Sequence, residues 1–178
     1  MDILDHSSVA VFHLTHVGAA YGICNSAFKQ NDKIKVLEMF PLGCESVVLL
    51  AGTKNGLNQL SKKVRNSNLI ETLIIEDIDK EVIKGFYGLN GEKVEKYLLT
   101  IEHGFLGKLF LASDELLKAG IKMVEMNSLR AIPWQNFASF TGSDLDLAKK
   151  MTTKYKELGF RVTLLDNLSE GFVKQYFH

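Results

Sequence analysis

The segment Ile34-Lys35-Val36-Leu37-Glu38-Met39 returns 87 positions later as Ile121-Lys122-Met123-Val124-Glu125-Met126, with four of six residues identical. An echo of this kind constrains the fold more than any local motif, because it divides the chain into two copies of one unit. Other landmarks recur in the same order. Lys29 closes an apolar helix-like run before the first copy, and Lys118 does so before the second. Gly52 follows Ser46-Val47-Val48-Leu49-Leu50, as Gly142 follows Phe137-Ala138-Ser139-Phe140. Val82-Ile83-Lys84 pairs with Phe172-Val173-Lys174, and Phe86-Tyr87 with Tyr176-Phe177. The offsets drift between 87 and 91, as short loop insertions produce.

Within the first copy, Val9 to Leu14 is short, apolar and β-branched, and reads as a strand. Gly18 to Lys29 reads as a helix with Ala20, Ile23 and Ala27 on one face; Phe105, Leu109, Ala112 and Leu116 form the matching face in the second copy. Ile34 to Phe40 and Ser46 to Leu50 read as two strands, joined by a turn over Pro41-Leu42-Gly43-Cys44. Gly52-Thr53 opens a second helix with Leu57, Leu60 and Val64 inward, and Leu69 to Ile75 reads as the fourth strand. A short helix follows over Asp77 to Phe86, capped at Asp77 or Asp79.

The order β-α-β-β-α-β plus a short helix is the split βαβ arrangement. The expected class is therefore α+β: two tandem ferredoxin-like domains, each with a four-stranded antiparallel sheet. Residues 1–88 form the first domain, 89–95 the linker and 96–178 the second. Such a fold alone does not fix a function.

Composition narrows the field. Lys+Arg and Asp+Glu both number 21, so the net charge is zero and the basic footprint of a nucleic-acid binder is missing. Near-zero charge also removes a barrier to self-association. No apolar run is long enough to span a lipid membrane, and the acidic Met1-Asp2-Ile3-Leu4-Asp5 start is unlike a signal peptide. Two cysteines, Cys24 and Cys44, give no disulfide framework, so a cytoplasmic location is expected.

The ordered landmarks of each copy resemble the bacterial microcompartment shell domain: a strand, a small-residue helix closing near Lys29 or Leu117-Lys118-Ala119, the Ile34 to Met39 strand or its repeat, a loop, and a strand ending before glycine. The stretch Leu69 to Glu102, with Gly88-Leu89-Asn90, is similar to the join in tandem-domain members. The likeness is greatest to the iron–sulfur-bearing tandem shell proteins of propanediol-utilisation compartments. It implies a structural protein rather than an enzyme. It also implies a homotrimer forming a pseudo-hexameric tile with a central pore, in contact with other shell proteins at its edges and with encapsulated enzymes. Lys29 and Lys118 match the family's tile-edge lysine. The pore loops correspond to Leu42, Gly43, Cys44 and Glu45 in one copy, and to Arg130, Ala131, Ile132, Pro133 and Trp134 in the other. The pattern departs from the family's where Ala51-Gly52-Thr53 and Thr141-Gly142-Ser143 replace Arg-Gly-Asp.

Two readings of Cys44 stand. A threefold axis would gather three thiolates as ligands for a [4Fe–4S] cluster, leaving one iron for an outside ligand; alternatively Cys44 is a free thiol that tunes the pore. Glu45 adds negative charge unfavourable to an anionic cluster. Cys24, in a small-residue helix, reads as an inert buried thiol. His13, His16 and His103, the last matched to His16, read as hydrogen-bonding residues at strand ends, with no ligand cluster beside them. Asp144 and Asp146 suit a helix N-terminus. A different class also fits the duplication: a regulatory protein binding a small molecule at a domain or subunit interface. A redox enzyme working through Cys44 would need an exposed, activated thiol.

Overall fold

The computed structural model describes residues 8–30, 34–64, 66–128 and 136–176. The chain divides into two compact units, the first taking in the described residues through Ile78 and the second beginning at Asp79. Unit 1 runs β1 (Ser8–Leu14), α1 (Val17–Phe28), β2 (Ile34–Leu42), β3 (Glu45–Gly52), α2 (Lys54–Ser61) and β4 (Leu69–Glu76). Its antiparallel sheet has the order β2-β3-β1-β4, which is the split βαβ topology. Unit 2 contains α3 (Lys80–Phe86), β5 (Leu98–His103), α4 (Leu106–Lys118), β6 (Lys122–Ser128), β7 (Asn136–Thr141), α5 (Leu145–Glu157), β8 (Arg161–Leu165) and α6 (Glu170–Tyr176). Its sheet repeats the order as β6-β7-β5-β8. The α+β class and the duplication expected from the sequence are both present.

The cores follow from the apolar faces. Ala10, Phe12 and Leu14 on β1 meet Ala20, Ile23 and Ala27 of α1 and Leu57 and Leu60 of α2. The small residues of α1 let that helix lie close on the sheet, and Val64 packs at the margin. In unit 2 Phe105, Leu109, Ala112 and Leu116 are all buried. Truncating a side chain such as Phe12 to alanine would cost roughly 3–5 kcal/mol. Local signals set the helix ends. Thr53 caps α2 by accepting from the Gly56 N–H, and Asp144 caps α5 by accepting from that of Leu147.

The hexapeptide echo encodes a shared irregularity. Val36 pairs with Leu50 and Glu38 with Leu49, so Leu37 is an extra residue in β2. Met123 pairs with Phe140 and Glu125 with Ser139, so Val124 is the extra residue in β6. These are β-bulges at identical places in the repeat. Beyond the bulge Met39 pairs with Val48, and Met126 with Ala138. Val36 and Met39 therefore share one face of β2, as Met123 and Met126 share one face of β6.

Two details differ from the sequence reading. The strand β2 does not stop before Pro41 but continues to Leu42, with Pro41 opposite Ser46. As β2 is an edge strand, a missing N–H need break no ladder bond. Helix α3, grouped by chain order with residues 1–88, packs in unit 2. Its cap is Asp79, while Asp77 takes a positive φ of 46° just outside the helix. Val82, Ile83 and Phe86 of α3 are buried there beside Met123 and Phe110.

Candidate functional site

The β2–β3 hairpin positions the first predicted pore segment. Leu42 pairs with Glu45, so only Gly43 and Cys44 form the turn. Gly43 has φ of 65°, whereas Cys44 stays at negative φ. That is the sign pattern of a type II′ turn, whose twist matches the flanking strands. Cys44 is exposed at the tip, while Leu42 is only 8% exposed and anchors the hairpin arm. The loop is thus a tight turn rather than a four-residue connection.

Glu45 is not a loose negative charge beside the thiol. Its Oε2 lies 2.7 Å from His13 Nε2. A carboxylate can only accept, so the His13 ring donates its Nε2–H to Glu45. This pairing escaped the sequence reading because the residues are 32 apart and only the β1–β3 register brings the start of β3 beside the end of β1.

Among the described residues, His16 and His103 also serve the fold. His16 caps α1, its Nδ1 accepting the Ala19 N–H at 3.1 Å. His103 Nδ1 accepts the Phe105 N–H at 2.9 Å. Matching these two histidines by sequence offset is, however, two residues out of step. The N-cap of α4 is Phe105, 89 positions after His16, and His103 instead ends β5. The carbonyl groups are held in parallel ways: Ser46 Oγ donates to His16 O, and Asn136 Nδ2 donates to His103 O and Gly104 O.

Arg130, Ala131, Ile132, Pro133 and Trp134 lie outside the described residues. The strands that flank them are in place, with Ser128 paired to Asn136 and Ser128 Oγ donating to Asn136 Oδ1 at 2.7 Å.

The two edge lysines sit at equivalent helix ends but in different electrostatic settings. Lys29 is the exposed C-cap of α1. Lys118 ends α4, and its Nζ lies 2.7 Å from Asp114 Oδ2. Asp114 is 4% exposed, and its other oxygen accepts the Asp79 N–H at 2.7 Å. Sequence reading missed Asp114, which ties α4 to the start of α3. The residue at this place in α1 is the neutral Asn25.

The two cysteines differ in their fitness for an iron–sulfur cluster. Cys24 is half-buried, with its Sγ 3.9 Å from Met39 Sδ, and desolvation pushes its thiol pKa up. That makes it a poor thiolate ligand. Cys44 is accessible, but a single chain offers only this one exposed thiol at the turn. Among the described residues no three His, Cys, Asp or Glu side chains gather as a metal site. A cluster therefore fits only where several copies bring their Cys44 residues together. Asp144 and Asp146 lie at the start of α5, where they complement the helix dipole. Among the described residues, no helix is long and apolar enough to cross a membrane.

No family model matches the sequence. No curated protein matches it either. Among solved structures, a glycine cleavage system transcriptional repressor aligns over 90% of this chain and 98% of its own, at 10% identity and a TM-score of 0.32, too low to bear on the fold. A microcompartments protein from Desulfitobacterium hafniense DCB aligns over 94% of this chain and 98% of its own, at 16% identity and a TM-score of 0.77. The chain thus has the two-domain α+β fold of a microcompartment protein along nearly its whole length.

Proposed function

We propose that this protein is a structural component of a bacterial microcompartment shell and not an enzyme. Three copies would form a pseudo-hexameric tile, with six sheets of one topology around a central pore. The carrying observation is that both halves of the chain repeat one sheet order, within a fold matching a microcompartment protein end to end. In this reading Leu42, Gly43, Cys44 and Glu45 line the pore, alternating with Arg130, Ala131, Ile132, Pro133 and Trp134. Lys29 and Lys118 lie at the tile edge against neighbouring shell proteins, and one face of the tile meets encapsulated enzymes in the cytoplasm. Metabolites or electrons would cross at the pore. The zero net charge and the fold-bound histidines His13, His16 and His103 agree with an assembly role.

Light scattering and electron microscopy of the purified full chain test this. Trimers that grow into sheets or tubes are expected. A monomer at micromolar concentration overturns the reading. The Lys29→Ala, Lys118→Ala double variant should remain trimeric and lose its sheets. If its sheets persist, the edge role assigned to these lysines is wrong.

A further inference from the structure

The end of β5 and the start of β8 border a small polar cavity in unit 2. It has a volume of about 250 Å³ and is lined by Glu102, His103, Gly104, Gly159 and Arg161. Glu102 and Arg161 stand opposite each other in the β5–β8 register, so their side chains leave the same face of the sheet. Glu102 is half-buried and Arg161 is exposed. Opposite charges placed this way can pair directly. Among the described residues, however, neither this carboxylate nor this guanidinium has a hydrogen-bond or ion-pair partner. The ring of His103 is held from two sides. Its Nδ1 accepts the Phe105 N–H at 2.9 Å, so in the neutral ring the hydrogen sits on Nε2 and makes that edge a donor. The ring also lies 4.7 Å from that of Phe160, which in turn meets the buried Tyr155 at 5.3 Å. At Gly159, with φ of 85°, nothing lies within 4 Å of where a side chain would begin.

The repeat shows that the fold does not require this set. His13 pairs with Glu71 across β1 and β4 as Glu102 pairs with Arg161 across β5 and β8. The residue after His13 is Leu14, where unit 2 has His103. In unit 1 the corner is satisfied from within: His13 donates to Glu45 at 2.7 Å, and Leu14 is 0% exposed. One topology thus carries two chemistries. The charges of the second corner have no use in holding the sheet together.

We infer that this cavity binds a small zwitterion of the α-amino acid class, with a short side chain. Arg161 takes the ligand carboxylate, which suits the planar fork of a guanidinium. Glu102 takes the ammonium, whose hydrogens need acceptors. The donor edge of His103 adds to the carboxylate side. A zwitterion is preferred because it answers both charges at once: a plain anion would face Glu102, and a plain cation would face Arg161. Opposed residues of an antiparallel pair start about 4.5–5.5 Å apart at Cβ. Side chains that start so close can converge on a ligand whose two charged groups flank one carbon, whereas widely spaced charges would engage only one of them. A direct ion pair between Glu102 and Arg161 would contribute little at the surface, so a ligand has little to displace. Size sets the side chain. A water occupies about 30 Å³ in the liquid, so the cavity has room for roughly eight non-hydrogen atoms. That excludes an aromatic or long aliphatic amino acid. All five lining residues belong to unit 2.

Titration of the ¹⁵N-labelled full chain with L-alanine, followed by amide NMR shifts, tests this. Saturable shifts centred on Glu102 to Gly104 and Gly159 to Arg161 are expected. Propionate and ethylamine each keep one of the two ligand charges, and each should bind about tenfold more weakly or worse, since a hydrogen-bonded charge is lost. This comparison needs no variant. Arg161→Gln and Glu102→Gln should each weaken L-alanine binding about tenfold or more, with the circular dichroism of the unliganded chain unchanged. Propionate that binds as well as L-alanine would make this a plain anion site and overturn the zwitterion. No shift at millimolar L-alanine, shifts centred elsewhere, or affinity unaltered in both variants would overturn the site itself.

Discussion

Gly85 lies so close to Met123 that any side chain at position 85 would run into the methionine sulfur. Helix α3 settles on β6 with no Cβ at this position, and adding one would oblige the buried Met123 side chain to move. Gly85→Ala should therefore destabilise the protein by about 1–3 kcal/mol, the usual range for overpacking a core. Met123→Val, which copies the residue of the first repeat, should relieve most of that loss. A double-mutant cycle by urea unfolding measures the coupling directly; additive effects would mean that the two side chains do not meet.

Tyr155 gives the clearest dependence on pH. It is 1% exposed, and its single O–H is shared between two acceptors, Ala112 O at 3.1 Å and Glu115 Oε2 at 3.0 Å. Burial first, then the charge and hydrogen bond of Glu115, then the charge of Asp114, push its pKa well above the ordinary 10.0. The folded state thus holds the phenol proton more tightly than the unfolded state. The resulting stability is fully present below the unfolded pKa and is lost as pH rises above it. Urea midpoints should fall above about pH 10, and less steeply in Tyr155→Phe. Tyr97 is raised in the same sense, by burial and then by Asp144 and Glu95, so some alkaline loss should remain in the variant. At neutral pH Tyr155→Phe should cost about 0.5–1.5 kcal/mol, the worth of its hydrogen bonding. Identical alkaline slopes for the two proteins would refute the assignment.

The Gly43–Cys44 turn makes a prediction of its own. Gly43 has φ of 65°, a region that costs other L-residues roughly 1–2 kcal/mol. Gly43→Val should lose stability on that scale, and Cys44→Val, at a position of negative φ, should lose less. Equal losses for both would show that the turn does not hold this conformation. Thermal melts of the two variants decide the matter.

What was legible in the sequence followed from local order. The echo of Ile34 to Met39 reported the duplication, and the apolar spacing of Ala20, Ile23 and Ala27 marked a buried face. The shared bulge at Leu37 and Val124 was hidden, because an extra residue in a strand leaves no mark until its partner is known. The docking of α3 was hidden for the same reason. Its apolar residues announce a buried face but not which sheet will cover it, so chain order suggested the preceding repeat. His13 and Glu45 each read plainly in isolation, and only strand register joins them. Pro41 suggested a turn because its lack of an N–H is a general rule, but the rule relaxes on an edge strand such as β2.

Cys44 brings the candidate site to a chemical test. It is exposed at the tip of a two-residue turn, beside a Glu45 carboxylate already engaged by His13. Engagement by His13 draws that carboxylate toward β1, which reduces the objection that Glu45 would repel an anionic cluster. On the trimeric assembly proposed above, three copies of Cys44 would each give one thiolate and leave one iron for another donor. Anaerobic reconstitution with iron and sulfide should then yield brown protein with about one cluster per three chains, on the stoichiometry of a [4Fe–4S] centre. Cys44→Ser should abolish the colour without changing the trimer measured by light scattering. Cys24→Ala should retain the colour, because its thiol is half-buried and lies against Met39. Colourless trimers from the wild-type chain would leave Cys44 as a free thiol at the turn, while colour that survives Cys44→Ser would place the cluster elsewhere.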